Sequence, residues 1–195
     1  MNLVERAKAI ILTPAAEWDK IAGETHTVQG LYTNWVMILA AIPAIAGFIG
    51  LSIVGGGMFG MSFRVGIMAG LSHAIATYLL SLGSVYVFAL IIDALAPSFD
   101  GEKNFLQAFK VAAFAPTASW LAGIFSILPA LSILGILGLY SLYLLYVGLP
   151  RLMKAPPEQA MAYTVGVIIA GIVLSVVVGM VAAFALPGRM GMGMF

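Results

Sequence analysis

An all-α, polytopic membrane fold is what this 195-residue sequence predicts: a five-transmembrane-helix bundle with a short N-terminal amphipathic helix. Three observations predict it. Only 9% of the residues are charged and 62% are hydrophobic, whereas a soluble domain carries about 25% charged residues. Mean hydropathy is +1.08. Five apolar runs, each about as long as or longer than the ~20 residues that cross a ~30 Å hydrocarbon core, are separated by glycine, proline and charge. A net charge of +1 gives no basic footprint for nucleic acid. Cysteine is absent, which excludes disulfides, zinc knuckles and thiol catalysis. Glu5, Arg6, Lys8, Glu17 and Asp19 surround a short apolar run near the start, a pattern unlike a cleaved export signal.

Residues 1–31 form the N-terminal segment. Leu3, Val4, Ala7, Ile10 and Ile11 recur at helical spacing, with Glu5, Arg6 and Lys8 elsewhere on the wheel, so a short amphipathic helix on the membrane surface is expected. Thr13-Pro14 ends it and starts another turn. Trp18 follows, a residue type that favours the membrane–water interface.

The transmembrane domain covers 32–186. Its first span, about 32–54, has no charge and ends at Gly55-Gly56-Gly57, which reads as a turn. The second span, about 65–94, contains His73 and ends at Asp93. The segment 97–110 is polar, and its second half, with Phe105, Leu106 and Phe109, is expected to lie flat at the interface. The third span, 111–128, is interrupted by Pro116, and Pro129 joins it in a tight antiparallel hairpin to the fourth, 130–149. A polar loop, 150–159, leads to the fifth span, 162–186, and a short Met/Gly tail occupies 187–195.

Five spans put seven basic residues on one side (Arg6, Lys8, Lys20, Lys103, Lys110, Arg151, Lys154) and two on the other (Arg64, Arg189). The positive-inside rule then predicts a cytoplasmic N-terminus and an extracytoplasmic C-terminus.

Three stretches resemble the Yip (Ypt-interacting protein) domain family in its bacterial branch. They are Pro14…Trp18…Ile21, then Pro43 with Gly47-Phe48-Ile49-Gly50, and Tyr143-Leu-Leu-Tyr-Val-Gly-Leu-Pro150 followed by Met153. The likeness covers roughly 14–185. It implies a multi-pass protein of the bacterial inner membrane with the five-span layout.

The candidate functional residues are few. His73 lies on a stripe with Gly66, Gly70, Thr77, Ser81 and Ser84, which should face other helices. An ionisable group at membrane depth suggests a polar path or a ligand position, and a neutral histidine bonded across a helix interface is the structural alternative. Gly66 and Gly70 form a close-packing motif that serves packing within the chain or a homodimer. Met58 and Met61 fall in the first outer loop, and Met190, Met192 and Met194 in the outer tail. Thioether sulfur suits Cu(I), so these methionines with His73 make a speculative metal set, and Met68 and Met180 sit further in. Methionine as flexible apolar filler is the plainer reading. Asp93, Asp100 and Glu102 flank one loop and are expected to solvate it. No nucleophile elbow, zinc-protease helix or phosphate loop is present. The sequence therefore predicts a non-enzymatic membrane scaffold or adaptor, with the bilayer and other membrane proteins as partners. The alternative is a transporter of a small solute or metal ion such as copper, and an intramembrane enzyme is the weakest of the three readings.

Overall fold

The computed structural model describes residues 2–58 and 61–184. Two short helices come first, α1 (Leu3–Leu12) and α2 (Pro14–Gly23). Asn2 caps α1: its side-chain oxygen accepts from the Glu5 amide at 2.8 Å, and the Asn2 amide donates to the Glu5 carboxylate at 3.3 Å. This reciprocal box satisfies two amides that the first turn leaves without partners. Pro14 starts α2, where a missing N–H costs nothing.

Trp18 does not stand exposed at an interface, contrary to the expectation from its residue type. The two helices pack onto one end of the bundle, and Ile10, Trp18 and Ile21 are 0% exposed. The stripe of Glu17, Trp18 and Ile21 is the buried face of α2, and its indole sits on Gly148 of the fourth span, where a Cβ would overlap the ring. That recess explains the departure from the expectation. Full burial of an indole removes more apolar surface from water than an interfacial position does. The Tyr140 hydroxyl of the fourth span adds a bond to the Ile11 carbonyl at 2.9 Å.

Five helical segments are long and apolar enough to cross a membrane: Val28–Val54, Ile67–Phe99, Phe105–Ile127, Ala130–Met153 and Pro157–Ala182. The first opens with an α-helical turn (Val28–Leu31), is π-helical over Tyr32–Val36, α-helical over Met37–Phe48 and π-helical again over Ile49–Val54. The third begins at Phe105, not near residue 111, so 105–110 does not lie flat; Phe109 and Lys110 are buried inside the bundle. As Pro116 suggests, this span breaks between Phe105–Phe114 and Thr117–Ala122. The hairpin at Pro129 is flanked by 3₁₀ turns, Gly123–Ile127 and Pro129–Leu139. The connection after Gly55, whose φ of 85° favours glycine, is an antiparallel ribbon of β1 (Gly56–Met58) and β2 (Met61–Phe63), more regular than the turn expected there.

The third span is the axle. In its most apolar window 67% of the residues are buried, against 33% or fewer in each other span. The first span approaches it closely at glycine. A Cβ on Gly50 would strike the Ser126 carbonyl, and one on Gly123 would come within 2.6 Å of Pro43. The fifth span is peripheral, with 11% of its window buried. Tyrosine hydroxyls link neighbouring spans by donating to carbonyls: Tyr32 to Leu82, Tyr78 to Met37 and Tyr163 to Ile92.

Candidate functional site

The polar stripe of the second span does face other helices. Gly70 packs on Ser52 and Phe48 of the first span, where a Cβ would overlap the Ser52 hydroxyl, while Gly66 has open space beside it. Gly70 is therefore committed to packing within the chain. Further along, Thr77, Ser81 and Ser84 line a cavity of about 670 Å³ between the second, third, fourth and fifth spans, with Ser119 and Ser175 opposite. Thr77, Ser81, Ser84 and Ser175 each donate to a carbonyl three or four residues back in their own helix. They present lone pairs to the cavity, while Val85, Phe88, Leu142 and Leu174 make the rest of its wall largely apolar.

His73 is half-buried on the same stripe, one turn before Thr77, and is not among the residues lining that cavity. Its Nδ1 is buried with no hydrogen-bond partner among the described residues. Met58 and Met61 are register partners in the ribbon. Met68 and Met180 are 75% and 54% exposed, so neither extends a path into the bundle. Met190, Met192 and Met194 lie outside the described residues. No group of three or more histidine and carboxylate side chains that could hold a metal occurs among the described residues. Glu102 pairs with Lys154 at 2.7 Å, and Asp100 accepts from Gln159 at 3.4 Å, so these two acids staple neighbouring loops.

The densest polar constellation is one that sequence reading missed. It lies where α1 and α2 meet the bundle. Lys110, 1% exposed, donates through Nζ to the carbonyls of Ile21 (2.8 Å), Ala22 (3.4 Å) and Glu24 (2.7 Å). These groups are at the C-terminal end of α2, where carbonyls lack helical partners and the helix dipole favours a cation. Gln107 donates to the Ala22 carbonyl as well. Arg6 stands 3.3 Å from Glu17, which is fully buried, and donates to Glu24 at 2.6 Å. Lys20 donates to Glu17 at 3.2 Å, and His26 lies 2.9 Å from Glu24. Burial works to raise the Glu24 pKa, but the hydrogen bonds and charges of Arg6 and His26 outweigh it, and the carboxyl sits below its ordinary value.

Beside this network is a cavity of about 840 Å³, lined by Arg6, Glu24, His26, Asn34, Trp35 and Phe114 among others. Two clues to the constellation stand in the sequence. Glu17 occupies the apolar stripe of α2, and Lys110 interrupts a run that is otherwise continuously apolar to Ala115.

The family model for the Yip1 domain matches residues 8–178. Inner membrane protein YohC of Escherichia coli K12 is 26% identical over 175 residues, covering 85% of this chain and 90% of that protein. The YohC of Escherichia coli O6:H1 matches with the same identity and coverage. No solved structure matches.

Proposed function

The chain belongs to the Yip1 domain family, and from that premise we propose that this polytopic helical membrane protein is a non-enzymatic scaffold or adaptor of the bacterial inner membrane. The observation that carries the reading is the N-terminal cap. Buried charge and backbone bonds hold α1 and α2 in one attitude on the bundle, while Val4 (57% exposed) and Leu12 (76% exposed) stay uncovered. A rigid platform with exposed apolar contacts suits docking of another membrane protein. The name of the E. coli relatives supports the inner membrane, and the seven-to-two bias of basic residues supports a cytoplasmic cap with the C-terminus outside.

Removing residues 1–20 is not a clean test, because it also removes Ile10 and Trp18 from the core. Photo-crosslinkers placed at Val4 and at Leu12 in living cells are better. One defined protein adduct, lost in the Val4→Gln/Leu12→Gln variant while the chain remains folded, is expected. Adducts with lipid alone would contradict the reading.

The hydroxyl-lined cavity favours transport as a second reading. In that reading Met58 and Met61, opposite one another in the ribbon, supply thioethers to a Cu(I) cargo, with His73 as a further ligand. Flux in proteoliposomes that falls with His73→Ala would favour it over the scaffold.

A further inference from the structure

We infer that the cavity between the second, third, fourth and fifth spans is a slot for one acyl chain of a membrane phospholipid. The inference does not rest on the scaffold reading, and it takes this cavity away from a polar cargo. Its volume of about 670 Å³ falls within the ~300–1,000 Å³ of ligand sites. The lining runs from Thr77 to Phe88 on the second span and from Gly171 to Ala182 on the fifth. At ~1.5 Å per residue each stretch is about 16 Å long, close to half of a ~30 Å hydrocarbon core. That is the depth the chains of one leaflet occupy. The slot narrows where a Cβ on Gly171 would come within 3.0 Å of the Phe88 ring. Gly179, about two turns further from the cap, has nothing within 4 Å of an added Cβ. The wide end therefore belongs to the leaflet away from the N-terminal cap.

The chemistry of the wall selects hydrocarbon. No ionisable side chain lines the cavity. Thr77, Ser81, Ser84 and Ser175 give their protons to carbonyls of their own helices, and Ser119 donates to the Gly138 carbonyl at 2.8 Å. No lining hydroxyl has a proton left for a polar guest. A solute that came in from water would exchange its hydration for lone pairs and apolar wall, which is costly. A lipid tail gives up no hydrogen bond on entering.

The slot is also open to the bilayer. Leu142, on its fourth-span edge, is 43% exposed, and Ser175 and Gly179, on its fifth-span edge, are exposed as well. The fifth span has only 11% of its window buried. A chain seated here fills the space between Leu174 of that span and Trp120 of the third, which line the same cavity.

The test uses the full chain in vesicles of phosphatidylethanolamine and phosphatidylglycerol, with a trace of phospholipid carrying a photoreactive diazirine midway along one acyl chain. After illumination, adducts are mapped by mass spectrometry. Labelling of Trp120 is expected, although it is only 8% exposed, together with Leu174. A diazirine on the headgroup should label neither. Ser175→Leu/Gly179→Leu, which fills the slot, should remove the Trp120 adduct and keep those on Ile172 and Val173, which are 56% and 59% exposed on the outer face of the same helix. Ser84→Ala should change nothing, because its hydroxyl takes no part in holding the chain. Adducts confined to outward residues such as Ile172 and Val173, equal labelling of Trp120 by the headgroup probe, or loss of the Trp120 adduct in Ser84→Ala would overturn the assignment. Should the double variant fail to fold, the labelling of the unaltered chain decides alone.

Discussion

Lys110 holds its ammonium in a place that water barely reaches and gives its protons to three carbonyls at the end of α2. Its place in an apolar run marks the lysine locally but does not identify its partners, which are 86 to 89 residues away in sequence. A lysine beside a polar loop reads as solvated until the fold shows what it caps. Lys110→Met keeps the side-chain bulk but leaves those carbonyls unpaired. It should cost about 2 kcal/mol, read as a lower unfolding midpoint in detergent, with the amides of α2 losing protection first. An unchanged midpoint would mean that the cap does not depend on this bond. Glu24 gives the cap a pH dependence. Its folded pKa lies below the unfolded one, so its stabilisation is complete above the ordinary carboxylate range near ~4.3 and fades as pH falls through the lowered value. Hydrogen exchange in residues 2–27, corrected for intrinsic rates, should accelerate below that range. Glu24→Gln should be looser at neutral pH and lack the acid step. His73, by contrast, was conspicuous in the sequence, yet its stripe lines the cavity through Thr77, Ser81 and Ser84 and not through the imidazole.

Among the elements, the existence and number of the spans were readable and their boundaries were not. A charge-free run of about 20 residues has few fates outside a membrane. The helix of the third span nevertheless runs past Lys110 and Gln107 back to Phe105, because α2 supplies the carbonyls that make those polar groups acceptable. The cap is the converse case. Its period was legible, but the partner of its apolar face was not, since a stripe of Trp18 and Ile21 fits lipid and protein equally well. Gly148 is what decides it, by offering the indole a recess. The same logic governs the axle. Gly50 lies so close to the Ser126 carbonyl that a methyl group could not be accommodated without moving backbone. Gly50→Ala should therefore separate the first span from the third and cost ~2 kcal/mol. Gly47→Ala, with nothing within 4 Å of the added carbon, should leave stability nearly unchanged. Equal effects of the two changes would refute the packing described.

At the scale of the molecule, low charge content and five runs were enough for the fold class, and short apolar and glycine-proline stretches were enough for the Yip family. The N-terminal arm, expected to lie on the membrane surface, packs against the bundle. The arm closes one end of the bundle and shares its core, and the cavity beneath it exists only because the two are joined. The scaffold reading depends on that joint. The chain contains no cysteine, so two introduced thiols report on it without background. Asp19 on α2 and Arg151 on the fourth span form an exposed ion pair at 3.2 Å, a contact of little energetic weight. With both changed to cysteine, a short bismaleimide applied to intact membranes should link α2 to the fourth span, seen as an uncleaved product after proteolysis between them. Thiols that each react with a single maleimide yet never cross-link would show that the N-terminal helices lie away from the bundle.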